Sequence, residues 1–143
     1  MSAWKQQAIV EAPVEDVWRL LADPERYPEW NAESIEVTGV PTKIEKGSTF
    51  RHTTRGPMGE ATTVFEVEEL DDLHEIKLRC QTSGYYSRWV LTEARGNTFA
   101  DVELGIEPPN LMANVFRATH NKGYLRRMTE KTLDNVRAAL KRG

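Results

Sequence analysis

Cysteine is nearly absent: Cys80 stands alone in 143 residues, so no internal disulfide can form. That count fits a reducing compartment, and a cytoplasmic location is expected. Within the run Ile76, Leu78, Cys80 the thiol reads as a small buried hydrophobe. Histidine is scarce too. His52, His74 and His120 are too scattered to suggest a metal site from spacing, so neither a metal nor a cofactor is expected. A basic surplus is also missing, because the net charge is −3. Basic residues do gather near the C-terminus, but Glu130 and Asp134 interrupt them. They read as a solvated helix face, and no nucleic-acid partner is expected. Long apolar runs are absent, so no membrane span is expected, and the opening MSAWKQQAIVEAP lacks the apolar core of a signal peptide. There is no HExxH, CxxC, Gly-rich phosphate loop or Gly-x-Ser-x-Gly. No pair of carboxylates has a recognisable acid–base spacing.

What is present is ordinary globular material, 39% hydrophobic and 29% charged, enough for one domain over residues 1–143 with a modest internal cavity. The most informative stretch is Val10 to Trp30. Pro13 suits a first helical position, where its missing N–H costs nothing. Glu15 and Asp16 follow near the positive helix end. Val14, Val17, Trp18 and Leu21 form an apolar face. Asp23 and Pro24 then read as N-cap and first residue of a second short helix, with Tyr27 and Trp30 on one face.

Strands come next. Ile35 to Val37 alternates, and a loop from Gly39 to Gly47 leads to Ser48–Arg55. Further strands are expected over Thr62–Leu70, Glu75–Gln81, Tyr85–Thr92 and Phe99–Ile106, joined by turns at Arg55–Gly59, Asp71-Asp72, Ser83-Gly84 and Arg95-Gly96-Asn97. Their alternation indicates an antiparallel sheet with one wet face. Pro108-Pro109 then opens a helical segment to about Lys141, about 50 Å if it is one helix. Leu111, Val115, Ala118, Leu125, Thr129, Thr132, Val136 and Leu140 form its stripe. It is read as one long helix, with a kink or interruption admitted at His120-Asn121-Lys122-Gly123.

The run through Ala12-Pro13, Glu15, Val17-Trp18, Asp23-Pro24-Glu25, Tyr27-Pro28 and Trp30, supported by Tyr85 to Leu91, resembles the START-like (SRPBCC) superfamily, in its polyketide cyclase/dehydrase-like branch. The resemblance covers nearly the whole chain. It implies an α+β helix-grip fold: a curved seven-stranded antiparallel sheet wrapped around a long C-terminal helix, with two short helices between the first and second strands. Ligand space in such folds lies between sheet and helix. The residue pattern agrees, because a one-faced sheet and a one-striped helix must bury each other.

Strand parity then nominates lining residues. Phe50 points inward and carries His52 and Thr54 with it. Thr63, Phe65 and Val67 follow on the next strand, then Tyr85, Ser87 and Trp89, and finally Leu104. Trp30 joins them from the second short helix, and Asn114 and Lys122 lie near the stripe of the terminal helix. The leading expectation is a pocket for a small hydrophobic or aromatic, partly oxygenated molecule. The alternative is an enzyme similar to polyketide aromatase/cyclases, with His52 as proton shuttle and Tyr85 as donor to a developing enolate. Aromatase/cyclases carry an inward Ser and Arg two residues apart on the strand after the first hairpin; here Val67 and Glu69 stand there. A third class is a protein-interaction module or a quinone or lipid chaperone. A homodimer is admitted as well as a monomer.

Overall fold

A computed structural model of the chain describes residues 2–56, 59–107 and 121–142. Strand β1 (Ser2–Val10) leads into helix α1 (Val14–Leu21), a 3-10 turn (Pro24–Arg26) and α2 (Tyr27–Trp30). Strands β2 (Ser34–Thr38), β3 (Thr49–Gly56), β4 (Gly59–Asp71), β5 (Glu75–Cys80), β6 (Tyr85–Ala94) and β7 (Asn97–Ile106) follow, and α3 (Lys122–Arg142) ends the described chain. All neighbouring strands pair antiparallel, in the order β1-β7-β6-β5-β4-β3-β2. This is the α+β helix-grip fold: an open seven-stranded sheet, two short helices after the first strand and a long C-terminal helix.

Local chemistry sets the helix boundaries. Pro13 lies just outside α1, as its N-cap in extended conformation, and Val14 takes the first helical position. The ring blocks the donor either way, so the expected start is displaced by one residue. Asp23 and Pro24 behave as expected: the Asp23 carboxylate accepts from the Glu25 N–H at 3.1 Å and opens the 3-10 turn. The C-terminal segment has a boundary at its weak point. α3 starts at Lys122, with the Asn121 side chain accepting from the Tyr124 N–H at 3.0 Å. The described helix is thus about 30 Å long. Leu111, Val115, Ala118 and the rest of the expected helix before Asn121 lie outside the described residues.

The alternation of β3 to β7 reproduces the expected inward set, with Phe50, Phe65, Val67, Ile76, Leu78, Trp89, Val102 and Leu104 all buried. Two register shifts modify it. On β4, Val67 pairs with Leu78 and Glu69 with Lys77, so Glu68 is an extra residue and Leu70 turns inward opposite Ile76. On β2, Ile35 is the extra residue between Ser34 and Glu36, and it is left exposed. α3 covers the inner face through Leu125, Thr129, Thr132, Leu133, Val136 and Ala139, packing on α2, β1 and β7. The expected stripe missed Leu133 and Ala139.

On the outer face the Tyr86 ring lies across β7. A Cβ at Gly105 would stand 2.6 Å from the Tyr86 hydroxyl oxygen and 2.7 Å from two ring carbons.

Two outcomes check this packing. Leu125→Ala should cost about 2–5 kcal/mol, read from the denaturation midpoint, because Leu125 is fully buried at the helix–sheet contact. Gly105→Ala should cost about 1–3 kcal/mol from overpacking. Most of that cost should vanish in a Tyr86→Ala background, as a double-mutant cycle would measure.

Candidate functional site

The inner end of the sheet carries a seam of aromatic rings. It is built from α2, because Pro24 and the Asp23 cap fix the turn that brings Tyr27 and Trp30 onto the sheet. The opposite side of that turn faces solvent, where Arg26 and Glu29 pair at 3.0 Å. Trp30 meets Trp89 of β6 edge-to-face at 5.8 Å between centroids, and Tyr27 meets Trp30 at 5.2 Å. Tyr27 also touches Phe50 at 5.8 Å and His52 at 5.9 Å. His52 in turn stands edge-on to Phe65 at 4.5 Å. Edge-to-face contacts of this kind exceed simple area burial in strength.

The seam is not apolar throughout. Tyr27 Oη, Trp30 Nε1, His52 Nδ1 and Trp89 Nε1 are fully buried and have no hydrogen-bond partner among the described residues. Buried polar atoms are normally satisfied, so several together in one contiguous cluster are informative. His52 is held through its other nitrogen, with Nε2 2.6 Å from Ser34 Oγ. Burial lowers the His52 pKa to about 4, so the ring is neutral near pH 7. Burial, helped by Asp23, pushes the Tyr27 phenol well above its ordinary value.

A second polar group lies beside the seam. The Tyr124 hydroxyl, from the first turn of α3, donates to Glu33 Oε2. Glu33 is itself buried, and its carbonyl accepts from the Arg55 N–H at 2.8 Å. Tyr85 is raised well above its usual pKa by burial first and by the negative field of Glu33 second. Tyr124 is raised by burial and then by its hydrogen bond to Glu33, against a smaller lowering by Arg127. Tyr27, Glu33 and Tyr124 were not nominated from the sequence. Tyr27 was legible as the partner of Trp30 on one helical face. Glu33 and Tyr124 lie in a linker and a helix start, where polar residues carry no inward signal.

The nominated residues distribute as follows. Trp30, Phe50, His52, Phe65, Val67, Tyr85, Ser87, Trp89 and Leu104 are all buried. Thr54 and Thr63 are half-buried; Thr63 accepts a weak contact from Cys80 Sγ at 3.4 Å. Lys122 is exposed at the start of α3, ahead of Leu125, the first buried residue of that helix. Asn114 and His120 lie outside the described residues. Glu69 is half-exposed and paired with Lys46 at 3.5 Å, while Val67 faces in, so β4 does not present an inward polar pair at these positions.

The sequence profile of the family described as "Polyketide cyclase / dehydrase and lipid transport" matches residues 2–141. The chain belongs to this family. Among solved structures, this polyketide cyclase/dehydrase and lipid transport family member is similar to a START superfamily protein of Mycobacterium smegmatis, at 15% identity over 99% of each chain with TM-score 0.74. It is also similar to a protein of Thermus thermophilus, at 16% identity over 96% of each chain with TM-score 0.73. The Zhui aromatase/cyclase of a Streptomyces species matches at 15% identity over 98% of this chain and 93% of its own, with TM-score 0.72. At these identities the likeness is one of fold. No curated protein matches the sequence.

The buried imidazole makes stability pH-dependent. With a folded pKa of about 4 against an ordinary 6.5, the unfolded chain binds the extra proton between those values. Stability should therefore be fully present above pH ~6.5 and fall as the pH drops towards ~4, by roughly 3 kcal/mol from this group. Comparing urea denaturation of wild type and His52→Gln across that window isolates the contribution. An equal acid slope in both proteins would refute the assignment.

Proposed function

We propose that this protein binds a small hydrophobic or aromatic, partly oxygenated molecule between the inner face of the sheet and the C-terminal helix. The observation that carries the reading is the aromatic seam with its unpartnered buried Tyr27, Trp30, His52 and Trp89 atoms. A buried donor left unmade costs about 1–3 kcal/mol, which a ligand oxygen in the seam would offset. Phe50 and Phe65 would supply the apolar walls, with Val67, Ser87 and Leu104 behind them. Family membership supports the same class of function, since the family includes small-molecule cyclases and lipid transporters by its own description.

The second reading is an aromatase/cyclase-like enzyme, as the Streptomyces neighbour is named. In it His52 takes a proton and Tyr85 donates to an enolate. The chemistry of His52 favours binding over catalysis: a base held at about 4 accepts protons weakly at neutral pH, and its Nε2 is already engaged by Ser34. A neutral imidazole and a protonated phenol remain good orienting groups for a carbonyl or hydroxyl.

Native mass spectrometry of protein purified from its own host should show a bound small molecule, and Trp89→Ala should reduce its occupancy. Protein that is always ligand-free, and binds no aromatic probe, would end the binding reading. With the ligand in hand, His52→Ala should weaken affinity about tenfold or less. A large loss of turnover at nearly unchanged affinity would instead establish the enzyme reading.

A further inference from the structure

The unmet atoms of the aromatic seam are not chemically equivalent. The difference, together with the ligand-binding reading on which this inference rests, says which group a ligand has to carry. Tyr27 Oη and His52 Nδ1 can each donate or accept, according to the hydroxyl rotamer and the ring tautomer. They suit a carbonyl and a hydroxyl alike. The indole nitrogens of Trp30 and Trp89 can only donate, and neither has a partner among the described residues. Both side chains are 1% exposed, so bulk water does not meet these donors either.

Space filling alone does not call for an indole here. Phe50 and Phe65 line the same seam without any polar atom, and a phenylalanine at the Trp30–Trp89 contact would keep an aromatic pair with no donor unmet. Outside the seam, Trp4 Nε1 has its partner, donating to Gln6 Oε1 at 3.0 Å. Nor do the two indoles satisfy each other. Their rings stand at 85°, so at most one can aim an edge N–H at the face of the other, and such a contact is weak. Trp30 comes from α2 and Trp89 from β6, so the contact lies where the two walls of the seam meet. An acceptor oxygen placed there meets donors that the protein leaves unsatisfied, and a methylene group of the same size does not.

We propose that the Trp30–Trp89 contact is an acceptor-reading subsite. Its indole N–H donors decide specificity, so that the inner site selects aromatic ketones and other ligands with a bare carbonyl oxygen over hydrocarbons of the same shape. Wholly hydrocarbon occupants, alkyl chains included, fit the apolar walls but leave the indole donors unmet, and they are disfavoured.

The test uses methyl naphthyl ketone and isopropenylnaphthalene, in which a methylene group replaces the carbonyl oxygen at nearly unchanged shape. Binding to the full chain is read by calorimetry, and the carbonyl stretch of the bound, isotope-labelled ketone by infrared spectroscopy. In wild type that stretch should lie below its value in hydrocarbon solvent, the mark of a hydrogen-bonded carbonyl. The ratio of ketone to alkene affinity should fall about threefold or more in at least one of Trp30→Phe and Trp89→Phe. The stretch should return towards its hydrocarbon value in the same variant. Phe65→Leu alters an apolar wall and no donor, so it should weaken both probes and leave ratio and stretch where they were. A ratio and a stretch unmoved in both tryptophan variants would overturn the inference and leave the ligand-binding reading standing. An equal fall of the ratio in Phe65→Leu would also overturn it, because the ratio would then follow packing. Binding of neither probe would overturn the ligand-binding reading and this inference with it. If a phenylalanine variant does not fold, benzothienylalanine at that position, with sulfur in place of the N–H, decides the matter.

Discussion

The first two strands are consecutive in the chain but sit at opposite edges of the sheet. The segment between them therefore has to travel the full width of the sheet, and the rest of the molecule depends on how it does so. A loop making that crossing would leave backbone groups unsatisfied against an apolar face. Two helical pieces avoid that cost, because they satisfy their own backbone while presenting Val17, Leu20, Leu21, Tyr27 and Trp30 to the sheet. α3 then packs against α2, β1 and β7 and closes the arrangement. The seam of rings at Trp30 and Trp89 is where crossing segment and sheet meet. A site at that seam is a consequence of topology before it is a consequence of side-chain choice.

The two faces of the same strands treat polar groups in opposite ways. Outside, Lys77 sits between Glu68 at 3.0 Å and Glu107 at 2.8 Å, and Arg88 meets Glu75 at 2.7 Å. These pairs are partly solvated and contribute modestly to stability. Inside, where an unmet donor is expensive, the indoles and His52 are left without partners among the described residues. The outer face holds one buried donor of this kind as well, Arg79 Nε, but it lies 3.6 Å from Glu107 and 3.9 Å from Glu68, whereas the inner ones gather among aromatic rings. That gathering is the main physical support for the binding reading.

Much of this was legible in the residues. Strand parity found Phe50, Phe65, Trp89 and Leu104 because a half-buried strand must alternate, and Asp23-Pro24 located the second helical start because cap chemistry is local. The register shift at Glu68 was invisible: an extra residue alters pairing without disturbing the local pattern of apolar and acidic positions. Lys122 shares its helical phase with Leu125 but stands in the first turn of α3, where the helix end leaves it exposed. Glu33 and Tyr124 were missed for a different reason. They meet across 91 positions of sequence; Glu33 lies in a linker without a period, and Tyr124 is a half-buried residue beside the buried row of α3.

Gly105 and Tyr86 have a bearing on how this chain can change over time. The ring occupies the space that a side chain at position 105 would need. Position 105 is therefore closed to drift for as long as position 86 carries an aromatic ring, and it opens only after that ring has been lost. Substitutions at the two sites have an order imposed on them: a smaller residue at 86 has to come first, and once a side chain has settled at 105 the way back to tyrosine is shut.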